Sequence, residues 1–165
     1  MILVIMGVSG CGKSTVGGIL AGKLGWALQE GDDLHPAANV AKMASGTPLT
    51  DEDRWPWLER IAEWIDEHID AGESGIVTCS ALKHSYRDVL RRDDVVFVHL
   101  AGTRAQIEER LTARLDHFMP TSLLDSQFAT LEPLRPEEHA LTLDIGPSSA
   151  ELVDEIVTSL DLRTS

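Results

Sequence analysis

Gly7-Val8-Ser9-Gly10-Cys11-Gly12-Lys13-Ser14 fits the pattern G-x-x-x-x-G-K-[ST]. These types at this spacing suit one chemistry, the holding of nucleotide phosphates. Glycines let backbone N–H groups curl around phosphate oxygens, and a helix starting at the loop adds partial positive charge. Lys13 can reach the β- and γ-phosphates, and the Ser14 hydroxyl suits Mg²⁺. Gly7, Ser9, Gly10, Cys11, Gly12, Lys13 and Ser14 are therefore candidate nucleotide ligands, with ATP and Mg²⁺ expected. Such a loop alone does not separate a kinase from a switch or a motor. A chain of 165 residues with the loop at residue 7 has room for a core and a lid, a format that fits small-molecule phosphoryl transfer.

A second block, Gly31-Asp32-Asp33-Leu34-His35-Pro36, follows a weak strand. Carboxylates at such strand ends can orient a hydroxyl nucleophile, take its proton, or hold Mg²⁺ through water. Asp32 is the stronger candidate of the two, although it could also cap the next helix. His35 could bond a substrate hydroxyl or carboxylate, or be a loop histidine. In Asp51-Glu52-Asp53-Arg54-Trp55-Pro56-Trp57-Leu58, Arg54 could grip a carboxylate bidentately or pair within the acidic turn. Trp57 reads as core or pocket wall. Cys79 to Arg87 runs from a strand end into a helix. That strand end carries no carboxylate, so metal binding falls to Ser14, the nucleotide and Asp32. Lys83, Arg87 and Arg91 recur every four residues and share one face, functional or merely solvated. Arg110 and Arg114, also four apart, could close over ATP and neutralise charge on the transferred group, or pair with Glu109 and Asp116.

The elements that must position these residues alternate. Strands are expected at Ile2–Met6, Trp26–Glu30, Gly75–Cys79, Val95–Leu100 and Ala140–Ile145. Helical patterns fall at Lys13–Leu24, His35–Ala44, Arg54–Ala71 and Ala81–Arg92, with two more opened by capping boxes at Thr103–Gln106 and Ser148–Glu151. Leu115 to Leu124 lacks a clean period and reads as a mobile excursion, a lid over roughly 115–125. The alternation predicts one α/β domain, residues 1–165, with a five-stranded parallel sheet flanked by helices in three layers.

The net charge of −13 argues against a general nucleic-acid binder and against docking on anionic membranes. No apolar run approaches about 18 residues, so no membrane span is expected. Cys11 and Cys79 form no CxxC pair and read as reduced residues of a cytoplasmic protein.

Several stretches together resemble one family, the small P-loop gluconokinases, relatives of the shikimate and adenylate kinases. They are Gly7–Thr15, Gly31-Asp32 with Leu34-His35-Pro36, Asn39, Lys42-Met43, Asp53-Arg54, Pro56-Trp57-Leu58, Cys79–Lys83, Tyr86-Arg87-Asp88 and His117-Phe118-Met119. The resemblance implies ATP-dependent phosphorylation of D-gluconate to 6-phosphogluconate, feeding the pentose phosphate and Entner–Doudoroff routes. It adds Thr15 to the nucleotide ligands and a homodimer as the assembly. By that analogy Asp32 contacts or deprotonates the hydroxyl, and Arg54, His35 and Lys83 hold the sugar acid. Arg110 lies near adenine and Arg114 near the phosphates. The residue types agree: a polyol with one carboxylate needs cationic anchors and hydroxyl-binding groups, and Asp32, His35, Asn39, Arg54, Lys83, Tyr86 and Arg87 supply that mixture. Rival readings are a kinase for another small acid or polyol, a nucleotide-binding regulator without turnover, and a nucleic-acid kinase, which the charge disfavours.

Overall fold

Ile2-Leu3-Val4-Ile5-Met6 is apolar at every position because both faces of its strand are covered; all five residues are fully buried. The computed structural model describes residues 1–8, 10–113 and 121–162, with backbone alone at 111–113 and 121–123. This first strand, β1, is joined by β2 (Ala27–Glu30), β3 (Gly75–Thr78), β4 (Val95–Ala101) and β5 (Ala140–Asp144). All pairings are parallel, in the order β2-β3-β1-β4-β5. The helices are α1 (Lys13–Leu24), α2 (Ala37–Ala44), α3 (Asp51–Asp70), α4 (His84–Leu90), α5 (Arg104–Ala113), α6 (Thr121–Thr130) and α7 (Ser149–Ser159).

The two-residue period of β1 divides the core. Leu3 and Ile5 pack with Val16 and Leu20 of α1 and Leu152 and Ile156 of α7. Ile2, Val4 and Met6 face Trp57, Leu58 and Ile61 of α3 and Tyr86 and Leu90 of α4. The chain thus leaves β1 toward one layer and β3 toward the other. That reversal opens a crevice at the carboxyl ends of the two strands, where ligands of such sheets bind. The register sets Ile5 and Glu30 beside Thr78, and Met6 beside His99, so these ends lie level.

Helix α1 matches its predicted span, and the Thr103–Gln106 cap is formed by two hydrogen bonds. Other boundaries move. Helix α3 begins at Asp51 rather than Arg54, because Thr50 and Asp53 cap it reciprocally. Helix α2 starts at Ala37, and Gly31–Leu34 forms a 3₁₀ turn absent from the sequence reading. The helix expected over Ala81–Arg92 shrinks to His84–Leu90. Ala81 takes a left-handed φ of 45°, Lys83 is the extended N-cap, and Arg91 is the C-cap. The proposed common face of Lys83, Arg87 and Arg91 is therefore not formed. Of the expected excursion, 114–120 lie outside the described residues, and α6 begins at Thr121.

Candidate active site

The loop after β1 turns at Gly7, Gly10 and Gly12, all with positive φ. At Gly7 a side chain is barred twice over, by φ of 144° and by Cys11 Sγ and the Leu100 carbonyl, each 2.8 Å from where a Cβ would sit. Helix α1 begins with no capping side chain and no acidic residue in its first turn. Its free N–H groups and dipole are available to an anion. Lys13 Nζ donates to the carbonyls of Gly7 (2.9 Å) and Val8 (3.0 Å), folded over the loop it would serve. Cys11 is buried, while Ser14 and Thr15 are exposed at the mouth. Ser9 lies outside the described residues.

Ser14 has a partner that the sequence reading missed. Its hydroxyl donates to Glu30 Oε2 at 2.9 Å, and the Thr78 hydroxyl donates to the same oxygen at 2.7 Å. Thr78 Oγ1 in turn accepts from the Gly31 N–H at 3.2 Å. Hydroxyls from α1 and β3 thus hold one carboxylate, at the end of β2, against the phosphate loop. Among the described residues no three His, Cys, Asp or Glu side chains group to hold a metal ion. A Mg²⁺ ion here would draw some of its ligands from the nucleotide phosphates, and the Ser14 hydroxyl and Glu30 carboxylate are oxygen donors that fit the rest.

Asp32 projects from the 3₁₀ turn with its side chain 90% exposed. Behind it His35 is buried, stacked on Trp57 at 4.1 Å between centroids. Trp57 Nε1 donates to the Gly31 carbonyl at 2.7 Å, fixing the turn that carries Asp32. Burial lowers the His35 pKa below its usual 6.5; Asp32 opposes this and Arg54 adds to it, so the ring is neutral at pH 7. Asn39, expected among the substrate ligands, is buried, and its amide nitrogen is committed to His35 and the Asp53 carbonyl.

Across the crevice Arg54 Nη1 donates to the Tyr86 hydroxyl at 2.8 Å, with its guanidinium 5.3 Å from the ring centroid. The Tyr86 hydroxyl donates to Asp51, and Lys83 Nζ donates to the same carboxylate at 2.9 and 3.2 Å. These bonds from Tyr86 and then Lys83 hold the Asp51 carboxyl below its usual range. The result is a shelf of two cations and a phenol tied to one exposed acid. The Gly7 N–H donates to the Ser80 carbonyl at 3.3 Å and the Gly31 N–H to the Thr78 hydroxyl at 3.2 Å, so the phosphate loop and the turn bearing Asp32 both meet the chain at the end of β3. Burial pushes the Cys79 thiol up to about 12 and keeps it protonated; both cysteines are unpaired.

Arg87 does not join this shelf. Its side chain is 1% exposed, and every nitrogen is engaged: Nε by Glu138, Nη1 by the Ala81 carbonyl, and Nη2 by carbonyls of Glu132 and Pro133. It buttresses the β3–α4 loop from behind, and the substrate contact expected of it is withdrawn. Arg110 does reach the nucleotide side. It donates to the carbonyls of Cys11 (3.3 Å) and Ile145 (2.6 Å), rather than pairing with Glu109. An open groove runs beside it between Gln106, Glu109, Ile145 and Gly146. Arg114 lies outside the described residues.

A parallel β2-β3-β1-β4-β5 sheet, a phosphate loop after its first strand and an acceptor shelf at the crevice define a small P-loop kinase. The shikimate kinase family matches residues 9–161. Gluconokinase of Gluconobacter oxydans (strain 621H) is 56% identical over 157 residues, covering 94% of this chain and 88% of that protein. Two solved structures are similar. An unliganded sugar kinase from Janibacter sp. HTCC2649 has TM-score 0.92 and 49% identity, over 98% of this chain and 94% of that one. A gluconokinase from Sinorhizobium meliloti 1021 has TM-score 0.87 and 46% identity, over 96% and 90%. The chain belongs to the shikimate kinase family and, within it, to the gluconokinases.

Proposed function

We propose that the protein transfers the γ-phosphoryl group of ATP to the 6-hydroxyl of D-gluconate, releasing 6-phospho-D-gluconate and ADP. The observation that carries this reading is the meeting of two segments at the end of β3: the Gly7 N–H donates to the Ser80 carbonyl and the Gly31 N–H to the Thr78 hydroxyl, which sets the phosphate loop beside the turn that carries Asp32. The 56% identity to a gluconokinase supports the choice of acceptor.

In this reading the backbone of Gly7, Ser9, Gly10, Cys11 and Gly12 cradles the phosphates, with Lys13, Ser14 and Thr15 at the helix start. Arg110 borders the base site, and Arg114 meets the phosphates when residues 115–125 close as a lid over the single domain and exclude water. Ser14 and Glu30 would hold the Mg²⁺ ion, a role that the exposed position of Asp32 suits less well. When bound, that ion neutralises charge on the phosphate oxygens. Asp32 accepts the proton of the terminal hydroxyl and orients its oxygen in line with the γ-phosphorus. Arg54 and Lys83 exchange part of their pairing with Asp51 and Tyr86 for the gluconate carboxylate, and His35 bonds a hydroxyl. Asn39 and Arg87 act from behind as supports. The enzyme works as a cytoplasmic homodimer that engages neither nucleic acid nor membrane; among the described residues no helix is long and apolar enough to cross one.

The test is ADP release by the purified protein with MgATP and D-gluconate, shikimate, glucose, glycerate or AMP. Turnover selective for gluconate is expected. Selective turnover of another acceptor would move the substrate assignment, and ATP binding without turnover on any acceptor would favour a regulator.

A further inference from the structure

His35 has two ring nitrogens, and which of them carries the proton decides whether it offers its neighbours a donor or a lone pair. The surroundings answer this. Asn39 Nδ2 lies 2.9 Å from the Asp53 backbone carbonyl and 3.2 Å from His35 Nδ1. A carbonyl oxygen can only accept, so the Asn39 group facing it is the NH₂ and not the amide oxygen. The second N–H of that NH₂ is directed at His35 Nδ1, which must then accept. The ring proton is left on Nε2.

The arrangement is anchored on each side. Asp53 closes the reciprocal cap of α3 with Thr50 and pairs with Lys42 at 2.7 Å, which fixes the carbonyl that Asn39 reads. Trp57 stacks on the His35 ring within 15° of parallel and also holds the Gly31 carbonyl, which fixes the ring plane relative to Asp32. Burial keeps the ring uncharged against the pull of Asp32, with Arg54 acting in the same sense as burial. Nε2 lies 3.9 Å from Asp32 Oδ1, beyond hydrogen-bonding distance, and bonds to none of the described residues. A fixed donor on a ring that is almost wholly buried thus stands behind an exposed carboxylate acceptor.

We infer that Asn39 is a positioning residue that locks His35 as the neutral Nε2–H tautomer. His35 and Asp32 then form a donor–acceptor pair that reads a hydroxyl of the acceptor: Nε2–H donates to a hydroxyl oxygen, and Asp32 accepts a hydroxyl proton. The pair discriminates between polyols, since a site built to bond a hydroxyl rejects the analogue that lacks it. This use of the pair rests on the polyol-acid reading above; the tautomer does not.

The tautomer can be read directly, without substrate, by long-range ¹H–¹⁵N correlation on the full chain labelled at histidine, with His35→Gln to assign the resonances. An unprotonated Nδ1 with a protonated Nε2 at pH 7 is expected. A protonated Nδ1, as the other tautomer or as imidazolium, overturns the inference whether or not gluconate is turned over. Asn39→Asp replaces the donor by an acceptor and should move the ring proton to Nδ1. It should also raise the acceptor KM by about tenfold, the scale of one lost hydrogen bond, while leaving the KM for ATP in place. Equal changes in both constants would mark Asn39 as structural only. Should Asn39→Asp not fold, His35→Gln against His35→Phe serves instead. Gln keeps an N–H and should retain acceptor affinity better than Phe; equal losses overturn the donor role.

Discussion

The Ser14 hydroxyl and the Glu30 carboxylate meet at 2.9 Å, although one opens the helix after β1 and the other ends β2. Thr78, from β3, bonds the same carboxylate oxygen. The carboxylate expected near a phosphate-loop serine is therefore supplied by a strand end two positions across the sheet. Glu30→Gln keeps the shape and removes the charge. It should weaken the apparent affinity for Mg²⁺ by about 10–100-fold, the range for groups that orient a metal's ligands. Titrating Mg²⁺ in the ADP-release assay measures this; an unchanged midpoint would remove Glu30 from the metal site.

Arg54 is held by the Tyr86 hydroxyl at 2.8 Å. Arg54→Ala should raise the gluconate KM by at least about tenfold and leave the KM for ATP nearly unchanged, since a charge-assisted bond is worth roughly 1.5–3 kcal/mol. Lys13→Met should abolish turnover in a folded protein. Steady-state kinetics with each substrate varied in turn separates the two; equal effects of Arg54→Ala on both KM values would contradict its role.

Glu138 is buried against Arg87, His84 and Arg135. Burial alone would raise its carboxyl, but the bonds from Arg87, His84 and the Arg135 N–H outweigh it and hold the pKa at about 2, below the usual 4.5. A depressed carboxyl stabilises the fold above its unfolded pKa, and that contribution is lost as pH falls from about 4.5 toward 2. Glu138→Gln leaves Arg87 buried without its counter-ion and should cost about 3–5 kcal/mol at pH 7. Urea denaturation of both proteins at pH 7 and pH 3 checks this: the gap between them should narrow at the lower pH. A constant gap would mean that the charge of Glu138 does not matter.

Gly31 is required by close approach. A Cβ there would stand 2.0 Å from the Thr78 carbonyl oxygen, which is backbone and cannot swing aside. Gly31→Ala should push β2 from β3, separate Glu30 from Thr78, and lower both Tm and kcat. A variant with the wild-type melting curve would show that this edge of the sheet can shift freely.

The sequence reading succeeded where a feature is local. Apolar runs bounded by glycine give β1 and β3, and Lys13–Leu24 is a helix over the span predicted. It failed where partners are distant. Arg87, four residues after Lys83, resembles part of an exposed basic face until the fold brings Glu138, 51 residues on, against it. Glu30 gave no signal because its partners stand 16 and 48 residues away and its strand is only half-buried. Its place at the end of a strand just before Gly31-Asp32 was the one clue available. Asn39 has the residue type of a substrate ligand, yet it is buried and its amide nitrogen bonds His35 instead.

In the proposed reaction a terminal hydroxyl of gluconate attacks the γ-phosphorus beside Asp32. The direct measurement is ¹³C and ³¹P NMR of the product made from ¹³C-labelled D-gluconate and MgATP. Phosphorus coupling to C6, with ADP formed in equal amount, is predicted. Phosphate on any other carbon, or ADP formed without a phosphorylated sugar acid, would contradict it.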